Sequence, residues 1–115
     1  MKVLIVDDNA SMRRMIRGIL QPLADEIHEC ADGGEALETY ARVLPDWVLM
    51  DIAMKRVDGI TATRQIIEAY PQALVLMVTN YNDDDLRREA HEAGACKYLV
   101  KESLLDISDI LSGGI

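Results

Sequence analysis

The sequence predicts an α/β fold: a doubly wound, five-stranded parallel sheet with five helices, arranged as a three-layer sandwich. Three observations carry this. Five short apolar runs alternate strictly with five longer amphipathic ones along the 115 residues. Such alternation favours parallel strands joined by helical crossovers on both faces. The middle apolar runs show no in-and-out alternation, as expected of strands covered on both sides.

Val3–Val6 is the first predicted strand. Met12, Met15, Ile16, Ile19 and Leu20 then share one helix face, and Pro22 closes that helix. Ile27–Ala31 reads as a weaker strand, followed by an Asp32-Gly33 turn. Ala36, Leu37, Tyr40, Ala41 and Leu44 mark a second helix, ended by Pro45. Trp47–Met50 is the third strand, and residues 52–59 form a loop closing on Asp58-Gly59. Ile60, Thr63, Ile66 and Ile67 mark a third helix, ended by Pro71. Leu74–Val78 is the most continuous strand. Leu86, Ala90 and Ala93 mark a fourth helix with Gly94 at its end. Tyr98–Val100 is the fifth strand. Leu104, Ile107, Ile110 and Leu111 mark the last helix, with Gly113 and Gly114 beyond it.

Composition bounds the function. The length suits one domain over residues 1–115, and half of the residues are hydrophobic, enough for one core. A formal net charge of −8 argues against gripping nucleic acid or an anionic membrane through the domain's own field. Cys30 and Cys96 form no metal-binding or disulfide pattern and read as reduced thiols packed as small apolar groups. Asp7 and Asp8 interrupt any signal-peptide apolar region, and no uncharged run reaches membrane-spanning length. The expectation is a cytoplasmic protein.

Parallel sheets of this kind bind ligands at the carboxyl ends of their strands. There the first strand delivers Asp7 and Asp8, the third Asp51, the fourth Thr79 and the fifth Lys101. Carboxylates crowded at a core edge repel one another and lose solvation. Oxygen ligands without histidine or thiolate suit a hard cation, and Mg2+ is the ion that accompanies phosphate chemistry. With a hydroxyl from Thr79 and an ammonium from Lys101, the set can receive a phosphoryl group. Asp51, central and alone on its strand end, is the natural acceptor.

LIVDDN, VLMDIAMKRVDG, VLMVTN and GACKYLVK together resemble the receiver domain of two-component response regulators, along the whole chain. KYLVKES is closer to receivers with helix-turn-helix DNA-binding outputs than to the chemotaxis type. The resemblance implies strand order 2-1-3-4-5 and a regulatory domain that catalyses only its own phosphorylation and dephosphorylation. It implies Mg2+ held by Asp7, Asp8, Asp51 and the backbone carbonyl of Ala53, with Asp8 the more direct ligand of the acidic pair. Asp51 is then the phosphoacceptor, Thr79 and Lys101 hold the phosphoryl group, and Tyr98 is the aromatic whose rotamer couples to Thr79. The implied donor is a sensor histidine kinase or histidine phosphotransfer protein, docking in part on the first helix, whose Arg13, Arg14 and Arg17 oppose its apolar face. The face made by the fourth helix, fifth strand and fifth helix would switch, with a homodimer through it as one outcome.

The sequence departs from that pattern in three places. Glu102 follows Lys101 where proline is usual, which predicts a trans peptide bond there. Lys55 replaces a proline in the loop after Asp51, and it and Arg56 read as solvated. Asn80 follows Thr79 where a small residue is usual, and would narrow access to the phosphoryl group. Two other classes compete. One is a phosphorylation-independent, receiver-like adaptor. The other is an aspartyl-phosphate-forming Mg2+ phosphatase, which would want an Asp-x-Asp pair after the first strand and a longer chain.

Overall fold

A computed structural model gives the fold of residues 1–113; Gly114, expected beyond the last helix, and Ile115 lie outside the described residues. Strands β1 (Lys2–Val6), β2 (Glu26–Cys30), β3 (Trp47–Met50), β4 (Val75–Thr79) and β5 (Lys97–Val100) alternate with helices α1 (Ala10–Leu20), α2 (Ala36–Val43), α3 (Gly59–Ala69), α4 (Asp84–Ala93) and α5 (Ile107–Leu111). All neighbouring strands are parallel, in the order β2-β1-β3-β4-β5. This is the doubly wound sheet and order expected. No helix among the described residues is long and apolar enough to cross a membrane.

The residue-by-residue alternation along β1, β3 and β4 divides the core. Leu4, Val6, Val48, Met50, Val75 and Met77 face one side, where Tyr40, Ile60, Ile66 and Ala90 of α2, α3 and α4 cover them. Val3, Ile5, Leu49, Leu76 and Val78 face the other, against Ile16 and Leu20 of α1 and Ile107, Ile110 and Leu111 of α5. Both faces are therefore dry in the central strands, while edge strand β2 carries exposed Glu26 and Glu29. That is why β2 is the weakest strand signal.

Helix starts are fixed by side chains. The Asn9 side chain accepts the Met12 N–H at 3.0 Å, Asp58 accepts the Thr61 N–H at 2.9 Å, and Asp83 accepts the Leu86 N–H at 3.0 Å. Each such cap is worth about 1 kcal/mol. Gly94 ends α4 at φ 110°, packed on Ile67 so that no Cβ fits.

The structure corrects several expectations. The last helix does not begin at Leu104: a 3-10 run spans Lys101–Asp106, with non-helical Ser103 inside it, before α5 starts at Ile107. Leu104 and Ile107 stand three residues apart, a spacing both helix types put on one face. Ala31 and Leu74 fall outside their strands, while Glu26, Thr79 and Lys97 fall inside. Cys30 is buried with its thiol on Thr39 Oγ1 at 3.2 Å, but Cys96 is exposed rather than packed. The described residues contain no cis peptide bond, so Lys101–Glu102 is trans, as Glu102 in place of proline requires.

Gly59 couples fold to site. Its N–H donates to the Ile52 carbonyl at 2.9 Å, and a Cβ there would lie 1.9 Å from the Asp51 carbonyl oxygen. We expect Gly59→Ala to lower unfolding free energy by about 2–3 kcal/mol in urea denaturation. Gly18→Ala, in α1 with nothing within 4 Å, should raise it by about 0.5–1 kcal/mol.

Candidate functional site

Register brings the site together. Val6 pairs with Met50, and Met50 with Met77, so the chain leaves β1, β3 and β4 side by side. The ladder continues one residue past β1 and β3: the Asp7 N–H donates to the Cys30 carbonyl at 3.1 Å, and the Asp51 N–H to the Val6 carbonyl at 2.9 Å. Both aspartates are thereby held as rigidly as the strands they follow.

Asp7 is buried; its Oδ1 accepts the Asn9 N–H at 2.9 Å, and its Oδ2 pairs with Lys101 Nζ at 3.0 Å. Asn9, not Asp8, caps α1, and Asp8 is exposed. Asp51 is buried, 3.4 Å from the same Lys101 Nζ. Asp7, Asp8 and Asp51 each offer an oxygen, all within 4.8 Å of one another. Lys101 reaches the cluster from the end of β5, and its side chain is itself nearly buried. The sequence-predicted carboxylates and lysine do converge.

One ammonium does not balance three carboxylates. Burial, then the charge of Asp7, pushes the Asp51 carboxyl up to about 6; Lys101 opposes this and Asp8 adds to it. The remaining charge deficit, with donors that are all hard oxygens, fits a divalent cation of the hard class.

Thr79, fully buried at the end of β4, accepts the Tyr81 N–H on Oγ1 at 3.3 Å. The Tyr98 hydroxyl donates to the Tyr81 carbonyl at 2.6 Å, and the Arg87 guanidinium lies 4.4 Å from the Tyr98 ring centroid. Tyr98 is half-buried, and burial raises its phenol pKa against the pull of Arg87. One residue, Tyr81, thus joins the Thr79 side chain to the Tyr98 side chain. Sequence reasoning missed Tyr81, which acts through its backbone and leaves no side-chain signature. On α4, Arg88 pairs with Asp85 at 2.6 Å, while Arg87 stacks on Tyr98 and donates to Asn82 at 2.9 Å.

Other expected positions are plainer. Ala53 and Lys55 are exposed in the loop between β3 and α3, and Asn80 is exposed beside Thr79. Arg56, though largely in solvent, pairs with Asp32 at 3.3 Å. Arg13 and Arg17 are engaged: both pair with Glu29 at 2.8 Å, and Arg13 also donates to the Asp7 carbonyl at 2.7 Å. Arg13 therefore braces the acidic turn rather than standing free.

Against known proteins, residues 3–111 match the family model of the response regulator receiver domain. The chain belongs to that family. It is 39% identical to the chemotaxis protein CheY of Halobacterium salinarum over 116 residues, covering 96% of this chain and 97% of that protein. It is 45% identical over 98 residues to protein-glutamate methylesterase/protein-glutamine glutaminase 4 of Geobacter metallireducens, covering 82% of this chain but 28% of that protein. It is 36% identical to the transcriptional regulatory protein LiaR of Bacillus subtilis, covering 89% of this chain and 49% of that protein. The chain thus spans nearly all of one relative and half or less of the other two. Among solved structures, CheY4 of Vibrio cholerae aligns with TM-score 0.90 at 28% identity, covering 99% of this chain and 98% of that one. A LuxR-family response regulator from Aurantimonas aligns with TM-score 0.86 at 32% identity, covering 97% and 85%. This chain is therefore a receiver domain of two-component response regulators, a signalling module.

The Asp51 carboxyl sets a pH dependence. Its folded pKa lies above the unfolded value near 4, so the folded state holds the proton longer and ionisation costs stability as pH rises from about 4 to about 6. Without divalent ions, Asp51→Asn should be more stable than the parent at pH 7 by on the order of 2–3 kcal/mol. The difference should vanish near pH 4, as read by urea denaturation at both pH values.

Proposed function

We propose that residues 1–115 act as one phosphoacceptor module, in which Asp51 takes a phosphoryl group from a phosphohistidine of a sensor kinase or histidine phosphotransfer protein. The supporting observation is the buried Asp51 carboxylate, 3.4 Å from Lys101 Nζ and flanked by Asp7 and Asp8. An Asp51 oxygen forms the bond to phosphorus as the P–N bond breaks, and the electron pair stays on the leaving imidazole nitrogen. Asp7, Asp8, Asp51 and the Ala53 carbonyl would hold Mg2+, which supplies positive charge to the phosphoryl oxygens when bound. Lys101 releases Asp51 and pairs with a phosphoryl oxygen. Thr79 turns its hydroxyl toward another.

Thr79 cannot turn without affecting Tyr81, whose N–H it accepts, and Tyr81 carries the Tyr98 hydroxyl on its carbonyl. Tyr98 is thereby freed to change rotamer, and the α4-β5-α5 face changes shape for an output partner or a second copy of the chain. This is a local charge event biasing a two-state element.

The donor's docking face is better assigned to apolar residues than to Arg13 and Arg17, which are occupied by Glu29, although Arg14 is exposed on the same helix. Met15 and Leu105 are 56% and 79% exposed, and with Ile19 and Leu104 they line an open groove between α1 and the 3-10 run. That run begins at Lys101, so a helix seated there stands beside the mouth of the site.

The direct test is intact mass. Incubation with Mg2+ and acetyl phosphate should add one phosphoryl group, and the addition should disappear without Mg2+ and in Asp51→Asn. No addition to a folded, Mg2+-binding protein would point to a donor restricted to the kinase or to access narrowed by Asn80, and no addition with no Mg2+ binding would favour the adaptor reading. A second test separates docking from chemistry. Leu105→Glu should leave the acetyl phosphate reaction within about two-fold, while cutting transfer from the cognate kinase at least tenfold, since an apolar anchor commonly carries more than about 1.4 kcal/mol.

A further inference from the structure

The turn after β2 contributes nothing to the chemistry above, yet it grips the loop that does. A Cβ on Gly33 would lie 2.2 Å from the Val57 carbonyl oxygen and 3.3 Å from Met54 Cε. Gly34 lies beneath the Val57 side chain, with a built Cβ 3.6 Å from Val57 Cγ2. Asp32 Oδ1 accepts the Gly34 N–H at 2.6 Å, closing the turn, and Asp32 Oδ2 pairs with Arg56 at 3.3 Å. Three consecutive turn residues thus meet Met54, Arg56 and Val57. The loop's near end is fixed separately, where Gly59 packs on the Asp51 carbonyl and bonds to Ile52. Ala53 lies between the two grips.

We infer that Asp32-Gly33-Gly34 is a positioning element for the cation site: it sets the path of residues 52–57, and with it the Ala53 carbonyl relative to Asp7, Asp8 and Asp51. The inference rests on the cation reading proposed above. Asp7 and Asp51 are held by the sheet and need no help, but a carbonyl in a loop does. Ordering a loop residue costs backbone conformational entropy, and magnesium demands near-octahedral geometry. A loop ordered before binding spares the ion that cost. The backbone contact explains the glycine at 33: any side chain there would push Val57, and the loop with it, away from the turn.

The test uses Gly33→Ala and Val57→Ala, the second being a half-buried truncation that weakens the grip without adding bulk to the fold. Mg2+ affinity is measured by calorimetry, and backbone hydrogen exchange is followed in Mg2+-free protein. Gly33→Ala should weaken Mg2+ binding roughly tenfold, as for other residues that orient metal ligands, and Val57→Ala should weaken it less in the same direction. Residues 52–57 should exchange faster while Val48–Met50 do not. The acetyl phosphate rate should fall at limiting Mg2+ and recover at saturating Mg2+, a split that general destabilisation would not give. Parent-like affinity and parent-like exchange in Val57→Ala, with the parent binding Mg2+, would overturn the positioning role, even if Gly33→Ala does not fold. A parent that binds no Mg2+ would overturn the cation reading and this inference with it.

Discussion

The structure depends on one crowded contact. Lys101 Nζ stands 3.0 Å from Asp7 and 3.4 Å from Asp51, at an edge where both aspartates are buried. Three carboxylates and one ammonium leave the cluster short of positive charge, and burial magnifies the shortage. A surface cluster would relax by rotating its side chains into water. This one cannot, because Asp7 and Asp51 are hydrogen-bonded extensions of β1 and β3. The sheet stores the imbalance, and a hard cation with a phosphoryl group is the chemistry proposed above to relieve it.

From that contact the consequences run outward in two directions. Through Lys101 they reach the 3-10 run and the apolar groove against α1, where a donor would sit. Through Thr79 they reach Tyr81 and Tyr98, and so the α4-β5-α5 face. The second route needs no long wire. Two hydrogen bonds to one residue, 3.3 and 2.6 Å long, connect a fully buried hydroxyl to a half-buried phenol. The handling of the loop between β3 and α3 is complementary: Gly59 fixes one end, and the Gly33 turn grips the other.

Much of this was legible because the governing physics is local. The runs of β1, β3 and β4 are apolar because helices cover both faces, and an aspartate directly after such a run stands out in the sequence by contrast. Thr79 and Lys101 followed from the rule that parallel strands deliver their ends to one edge. What was not legible depends on three-dimensional choice. The 3-10 start after Lys101 shares its i, i+3 spacing with an α-helix. Arg13 looked like free surface because its acceptors, Glu29 and the Asp7 carbonyl, belong to β2 and to a backbone. Tyr81 acts through main-chain atoms that every residue has. Cys96 looked packable, but it stands directly before the edge strand β5 and is exposed.

The most direct measurement is an NMR titration of the Asp51 side-chain carboxyl carbon, first without divalent ions and then with saturating magnesium. The expected result is a midpoint near 6 in the metal-free protein, moving down when magnesium is added. A midpoint near the ordinary value of about 4, unmoved by magnesium, would contradict a buried, under-compensated carboxylate cluster as the centre of this molecule.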